Sequence, residues 1–149
     1  MTILALDIAK RVGWASPQDS GVADFSALDD WGELAFKFQD WLHDRLQFCN
    51  VKVLVLERPF LAAKSDNAMI PSHMTWTAHQ VAYEFSISRC EVPPSTWRKD
   101  LLGAAMRRTE AKAKSVEWCH QHGFDPIDDN EADAICLLNW YINFAGEKR

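Results

Sequence analysis

The sequence predicts a mixed α/β fold in which a five-stranded sheet, three antiparallel strands followed by parallel strands, is flanked by helices. Two short apolar runs, residues 2–8 and 51–56, have the composition of strands that are buried on both faces. Between them, the apolar residues of 31–46 recur every three or four positions, which predicts an amphipathic helix. A strand, a helix and a strand in this order imply a crossover between parallel neighbours.

The remaining elements follow from turn and capping signals. Pro59 cannot donate to a strand ladder and therefore ends the second apolar run. Thr109 is placed to cap a helix that ends at Gly123, and Asp128 and Glu131 have the spacing of a capping box. In chain order, the further predicted elements are strands 12–15 and 21–26, a loop 60–71, a helix 72–88, a strand 90–92, a helical turn around Trp97, and helices 109–123 and from 128 onward.

The length of 149 residues favours a single domain, residues 1–149. A chain of this size buries roughly 70% of its unfolded surface, whereas two half-length domains are marginal. No apolar run reaches the roughly 18 residues of a membrane span, and the first apolar run lacks the basic region of a signal peptide. The four cysteines are scattered without CxxC spacing, which favours reduced thiols. We therefore expect a cytoplasmic protein with no membrane partner.

Charge is distributed unevenly along the chain. The formal net charge is −5, but residues 98–114 contain six basic and two acidic side chains, and residues 125–133 contain five acids and no base. The acidic total argues against a general nucleic-acid coat protein. A basic strip beside an acidic pocket is instead what a metal-dependent enzyme acting on phosphodiesters requires.

Carboxylates from three segments are expected to meet at one edge of the sheet. Asp7 ends the first strand and Glu57 ends the second apolar strand, and ligand sites of open α/β sheets lie at these carboxyl ends. Asp129, Asn130 and Asp133 occupy the first turn of the last helix, where positions three and four apart share a face. Mutual repulsion of close carboxylates predicts divalent ions with oxygen ligands, Mg²⁺ or Mn²⁺, and a pair of such ions suits phosphodiester cleavage.

Three segments of the chain resemble a known family. Asp7-Ile-Ala-Lys-Arg-Val-Gly-Trp-Ala15, Val55-Leu-Glu57-Arg-Pro-Phe60 and Asp129-Asn-Glu-Ala-Asp-Ala-Ile135 are similar, in order and spacing, to the three acidic motifs of RuvC-type Holliday junction resolvases. These enzymes belong to the RNase H-like (retroviral integrase) superfamily, and the resemblance is greatest to the short phage and prophage forms. It spans nearly the whole chain and implies an RNase H-like fold.

The resemblance implies a Mg²⁺-dependent endonuclease that resolves four-way DNA junctions as a homodimer, with two ions in each active site and no organic cofactor. Asp7, Glu57 and Asp133 match three of the family's catalytic, metal-binding carboxylates. The fourth ligand stays open between Asp129, which we prefer, and Asn130, which stands where the family usually has an acid.

Residues outside the carboxylates also acquire expected roles from the resemblance. Phe60 matches an aromatic residue that stacks at the junction centre. Lys112 and Lys114 both lie where the family has a basic residue near the scissile phosphate, and the sequence does not fix which of them corresponds to it. We include Lys114 in the catalytic set. The residues expected to contact DNA are Phe60, Arg98, Lys99, Arg108, Lys112 and Lys114.

Simpler interpretations compete for several of these residues. Asp128 is better explained as a helix cap than as a ligand, and Glu131 as a favourable charge at a helix N-terminus. Phe60 also suits a core position, the basic strip also suits a solvated face, and the tryptophans suit packing. A zinc site built on Cys119, His120 and His122 lacks a fourth ligand and is disfavoured.

Three other functions remain as alternatives. One is the same catalytic site acting on flaps, forks or RNA–DNA hybrids, because the catalytic residues set the chemistry and not the substrate shape. Another is a catalytically silent module that binds nucleic acid or a protein, which Asn130 and the acidic net charge make plausible. An actin-like phosphotransferase is disfavoured, because the sequence has no second glycine-rich phosphate loop after a strand.

Overall fold

Five strands and five helices make up the described part of the chain, residues 2–59, 66–104 and 106–145 of a computed structural model; for residues 66–68 only the backbone is described. The strands are β1 (Thr2–Asp7), β2 (Arg11–Ala15), β3 (Ser20–Asp24), β4 (Val51–Glu57) and β5 (Ser88–Val92). The helices are α1 (Trp31–Phe48), α2 (Asp66–Glu84), α3 (Pro94–Leu102), α4 (Arg108–Gln121) and α5 (Asp129–Phe144). None of the helices in these ranges has the length and apolar character needed to cross a membrane.

The strands form one mixed sheet in the order β3-β2-β1-β4-β5. The pairs β1–β2 and β2–β3 are antiparallel, whereas β1–β4 and β4–β5 are parallel, so the predicted mixed sheet is confirmed. Leu6 lies opposite Leu56 in the parallel pair. Asp7 and Glu57 therefore follow side by side at the carboxyl ends of two neighbouring strands.

The alternation of side chains along the central strands separates two hydrophobic cores. Leu4 and Leu6 of β1, with their counterparts on β4, face the core that contains the buried residues of α1 and α2. Ile3 and Ala5 face the opposite core, which contains the buried residues of α3, α4 and α5. Because side chains alternate with a period of two, Asp7 continues the second set, and Glu57 does the same on β4. Both carboxylates consequently emerge on the side of α3 and α5.

Helix α5 lies against the sheet over most of its length and is buried from Glu131 to Leu138. Its first turn touches β2 backbone to backbone, because a Cβ atom at Gly13 would lie 1.9 Å from the carbonyl oxygen of Asn130. Only glycine permits this approach. The helix is thereby held close enough to the strand ends for its first turn to reach their carboxylates.

The predicted helix 72–88 ends at Glu84, and residue 88 already begins β5. Two predicted helix starts are also wrong, for physical reasons that the local sequence does not carry. Helix α2 begins at Asp66 and not at residue 72, with Pro71 inside it. Pro71 removes one intrahelical hydrogen bond, but burial of residues such as Ile70 and Met74 holds the helix in place. Helix α4 begins at Arg108, and its N-cap residue Arg107 makes no side-chain cap, so Thr109 is not the cap.

Candidate active site

The ends of β1 and β4 present the first two carboxylates of the site. Asp7 and Glu57 are each the last residue of their strand and are both partly buried. Backbone pairing of the two strands holds their main chains in register up to Leu6 and Leu56. The positions of these two acids are therefore set by the sheet and not by a loop.

The third carboxylate comes from the first turns of α5, whose start is secured by a side-chain cap. Asp128 Oδ1 accepts a hydrogen bond of 2.9 Å from the backbone N–H of Glu131, as predicted for the N-cap. Asp128 Oδ2 also accepts bonds from Arg11 Nε at 3.1 Å and Nη2 at 2.9 Å. This anchoring fixes the rotation of the helix and turns Asp133 inward, where its side chain is 3% exposed.

Glu131 has a structural role that the sequence did not reveal. Its buried carboxylate accepts a bond of 2.6 Å from Ser20 Oγ and one of 2.7 Å from the backbone N–H of Ile127. One side chain thus ties β3, the loop before α5 and the helix itself together. The role of Glu131 is therefore to accept two hydrogen bonds in a buried position. This explains the residue better than the favourable charge at a helix N-terminus that its position in the sequence predicted.

Two cationic side chains reach into the carboxylate cluster. Arg98 Nη2 lies 3.5 Å from Glu57 Oε2 and 3.7 Å from Asp133 Oδ2. Lys112 Nζ lies 2.8 Å from Asp129 Oδ2 and 3.9 Å from Asp133 Oδ2. Arg98 is only 11% exposed, so it faces the carboxylates rather than the open surface that we expected for a contact to the DNA backbone.

The structure separates the two lysines that the sequence could not distinguish. Lys114 Nζ pairs with Glu117 Oε2 at 2.8 Å, and both side chains are half exposed. Two residues along a helix correspond to a rotation of about 200°, so Lys112 and Lys114 cannot face the same site. The structure therefore places Lys112, and not Lys114, beside the carboxylates, and the catalytic role expected of Lys114 stays a prediction.

The remaining predicted residues fall into three groups. Asp129 belongs to the cluster through Lys112, whereas Asn130 Nδ2 donates to Asp128 Oδ2 at 3.3 Å and so points toward the cap. Lys99 and Arg108 lie exposed on α3 and α4. Phe60 lies outside the described residues, and its predicted role stays a prediction.

The electrostatics of the site favour a bound cation. Burial, followed by the charges of Glu57 and Asp133, raises the pKa of Asp7 well above its usual range. Burial also raises the pKa of Glu57 and of Asp133, although Arg98 and Lys112 oppose the shift in both. Arg98 and Lys112 thus leave part of the negative charge of the carboxylates uncompensated. A bound divalent ion would remove the free-energy cost of keeping these buried carboxylates ionised.

The donor set fits Mg²⁺ or Mn²⁺. All of the converging acidic groups offer oxygen, and the buried Asp133 Oδ1 has no hydrogen-bond partner among the described residues. Among these residues, no group of three His, Cys, Asp or Glu side chains is arranged so that it could hold an ion as it stands. Mg²⁺ does not require one, because it is commonly bound through one or two carboxylates and keeps several waters.

The disfavoured zinc interpretation receives no support from the described side chains. Cys119 is buried with its Sγ 4.0 Å from that of Cys136, while the exposed His122 stacks on Trp118 with ring centroids 3.9 Å apart. His120 instead lies 3.6 Å from Asp125. The three residues therefore belong to separate local environments.

Sequence reasoning missed Trp97, which it assigned to packing. The indole is fully buried, and its Nε1–H donates to Glu57 Oε2 at 2.8 Å. No motif signals this contact, because Trp97 and Glu57 lie 40 residues apart and meet only when α3 docks on the sheet.

The mixed sheet and its flanking helices give the chain an RNase H-like fold, similar to the fold of solved Holliday junction resolvases. Two structures of Thermus thermophilus RuvC, the second in complex with a Holliday junction substrate, match it with TM-scores of 0.77 and 0.76 at 13% identity, covering 99% of this chain and 97% and 96% of theirs. The fowlpox virus resolvase in complex with Holliday junction DNA matches with a TM-score of 0.64 at 16% identity, covering 95% of this chain and 97% of that one. No protein-family model and no curated protein matches the sequence.

Proposed function

We propose that the chain is a single-domain, divalent-metal-dependent endonuclease that resolves four-way DNA junctions by hydrolysis of phosphodiester bonds. The observation that carries the proposal is the convergence of Asp7, Glu57 and Asp133 from three separate elements, on the fold of Holliday junction resolvases. The free thiols among the described residues favour a reducing compartment, the cytoplasm.

Asp7, Glu57 and Asp133 would hold the metal, with Asp129 as the fourth ligand, and four carboxylates have the charge to hold two ions. Mg²⁺ bound there, with Mn²⁺ as a substitute, supplies a Lewis acid that activates water and neutralises charge developing on the phosphate. The chain itself holds the ligands in place: the sheet sets Asp7 and Glu57, and the capped α5 sets Asp133. The positive charge of Arg98 reduces the repulsion between the carboxylates of Glu57 and Asp133.

Lys112 is the proposed catalytic residue that contacts the scissile phosphate through its positive charge. Its ammonium group lies among the carboxylates and its side chain is 22% exposed, so it lies between the ion site and the solvent. With metal ions held by Asp129 and Asp133, the ammonium group of Lys112 would be free to pair with a phosphate oxygen. Lysine suits this role because its flexible stem carries a point charge with three donors.

Exposed basic residues on α3 and α4 would position the DNA backbone. Lys99, Arg108 and Lys114 all lie on the surface of these helices, which also contribute Arg98 and Lys112 to the site. Contacts of this kind orient a duplex arm without reading its sequence, so they suit an enzyme that recognises a branched shape.

We propose that the homodimer forms through an exposed apolar stripe on α2. Met69, Trp76 and Tyr83 are 45%, 73% and 74% exposed, and their spacing of seven residues places them on one helical face. The stripe is uncharged, so two copies can pair across a twofold axis without charge repulsion. A dimer would supply the two active sites needed to cut a pair of strands.

The decisive test is cleavage of a synthetic mobile four-way junction with Mg²⁺ or Mn²⁺, beside linear duplex, flap, fork and RNA–DNA hybrid substrates. We expect paired nicks on the junction that disappear in the Asp7→Asn protein, which still binds the junction. Cleavage of a different substrate would keep the metal site and change the function. Binding of the junction without cleavage of any substrate would indicate a silent binding module.

A further inference from the structure

Helix α3 brings two hydrogen-bond donors to one oxygen of Glu57. Trp97 Nε1–H donates to Oε2 at 2.8 Å, and Arg98 Nη2 lies 3.5 Å from the same atom. Among the described residues, all hydrogen bonds and ion pairs of Glu57 end on Oε2. Within residues 2–59, 66–104 and 106–145, Oε1 is therefore the oxygen of Glu57 that is left open to a further partner.

We propose that Trp97 is a positioning residue that holds Glu57 by Oε2 and presents Oε1 to the metal ion. The inference rests on the proposed function, because it assumes that Glu57 is a metal ligand. The inference adds to the site a residue that touches neither the ion nor the substrate. It also specifies which oxygen of Glu57 would bind the metal ion.

The local fold explains why the indole reaches this carboxylate. Glu57 lies opposite Val92 in the parallel pair β4–β5, so β5 ends at the level of the site. Pro94 at the first position of α3 starts the helix at once, which places Trp97 in its first turn above the end of β4. A rigid indole in this position carries its N–H to Oε2 with only two side-chain torsions to fix.

The contact has features that packing alone does not require. Trp97 is fully buried, and a buried indole N–H needs an acceptor, which a backbone carbonyl satisfies as well as a carboxylate. Here the acceptor is an acidic group at the centre of the site. A carboxylate bonded through one oxygen loses rotational freedom about its last torsion, and hydrogen-bonded supports of this kind commonly tune metal ligands.

Trp140 of α5 provides a matched control, because its indole also contacts a carboxylate across an interface of α3. Its indole N–H donates to Asp100 Oδ2 at 2.9 Å and it is 4% exposed, so it also ties a carboxylate of α3 to the protein interior. Asp100 is not one of the converging site carboxylates. If Trp97 merely anchors α3, loss of either indole N–H has the same consequence.

The test compares Trp97→Phe with Trp140→Phe, because each keeps a buried ring and removes one N–H. Mg²⁺ and Mn²⁺ affinities are measured by calorimetry, and junction binding is measured in Ca²⁺. We expect Trp97→Phe to weaken metal affinity by about 10-fold or more, the usual effect of losing a support to a metal ligand, while Trp140→Phe stays within about twofold. Junction binding stays the same in both variants.

Equal metal affinities in the two variants would overturn the role of Trp97 while leaving the nuclease intact. A wild-type protein that neither binds the ions nor cuts any junction would instead overturn the proposed function. If Trp97→Phe does not fold, the indole N–H signals of the wild-type protein in ¹H–¹⁵N NMR spectra decide. We expect one indole signal to move both when Mg²⁺ is added and in Glu57→Gln. The signal of Trp140, identified by its loss in Trp140→Phe, should stay in place. The absence of a signal that moves in this way would reject the inference.

Discussion

The backbone of Gly13 on β2 lies against the carbonyl oxygen of Asn130 on α5, with room for no side chain between them. Gly13 and Asn130 lie within two of the three acidic motifs, Asp7–Ala15 and Asp129–Ile135. The contact sets how closely the first turn of α5, and with it Asp129 and Asp133, approaches the ends of the strands.

Gly13→Ala is therefore expected to damage both stability and the site. A Cβ atom 1.9 Å from Asn130 O forces α5 away from the sheet, at a cost of about 1 to 3 kcal/mol in the free energy of unfolding. Urea denaturation measures this loss, and calorimetry measures the accompanying loss of Mg²⁺ affinity. Wild-type values for both quantities would show that the two backbones separate without strain and that α5 is not held by this contact.

The raised pKa of Asp7 predicts how the stability of the metal-free protein depends on pH. The folded state binds a proton at Asp7 more tightly than the unfolded state does, so this group lowers the free energy of unfolding as the pH rises above 3.8, the usual value, toward the raised pKa. Asp7→Asn lacks this penalty. In EDTA, we expect the variant to gain stability relative to wild type as the pH increases, as followed by thermal unfolding.

Asp128 supplies a control with the opposite sign. Its partial burial acts to raise its pKa, but the hydrogen bonds from the Glu131 N–H and from Arg11 outweigh this and hold the pKa of Asp128 below the usual value. The stabilisation from Asp128 is therefore present above the unfolded-state pKa and is lost as the pH falls. Asp128→Asn must lose stability relative to wild type at neutral pH, and parallel behaviour of the two variants would contradict the assigned shifts.

Mg²⁺ is expected to reverse the pH effect of Asp7. A ligand that binds only the folded state stabilises it in proportion to the logarithm of its concentration over the dissociation constant. Because the ion competes with protons for Asp7, this gain increases with pH in the wild-type protein and is much reduced in Asp7→Asn. A stabilisation by Mg²⁺ that is the same in both proteins would place the ion elsewhere.

Lys112 and Lys114 are expected to differ in kind. Lys112→Ala removes a charge that we assign to the scissile phosphate and is expected to slow cleavage of bound junction by about 100-fold. Lys114→Ala, two residues away, should leave that rate unchanged. It should lower by about 1 the slope of the logarithm of the junction-binding constant against the logarithm of the salt concentration. Single-turnover cleavage and binding at several salt concentrations measure both effects. The reverse result would restore the catalytic assignment of Lys114.

The apolar stripe of α2 is expected to hold two copies together. Trp76→Glu places a charge in the centre of the stripe and should convert a dimer to monomers in analytical ultracentrifugation. Phe36 on α1 is similarly exposed, at 67%, but lies off the stripe, so Phe36→Glu should leave the mass unchanged. The monomeric variant should produce single nicks instead of paired ones. A dimer that survives Trp76→Glu would place the interface on another face.

Much of the architecture was predictable because it depends on short-range patterns. The apolar runs that became β1 and β4, the period of α1 and the Asp128 cap of α5 are all written in neighbouring residues. Since parallel strands bring their carboxyl ends together, the pairing of Asp7 with Glu57 followed from the order of elements alone. Pro71 misled the prediction of α2, because the burial that overrides a proline comes from distant parts of the chain.

By itself, the sequence determined the mixed sheet, the strand-end carboxylates and the acidic first turn of α5, since each rests on periodicity, capping or connection order. The packing of helices on the sheet was needed to show that Lys112 and not Lys114 enters the site, that Asn130 turns to the cap, and that Trp97 donates to Glu57. These assignments depend on distances between residues of different elements. Such distances are set when helices dock on the sheet, and no local pattern of residues records them.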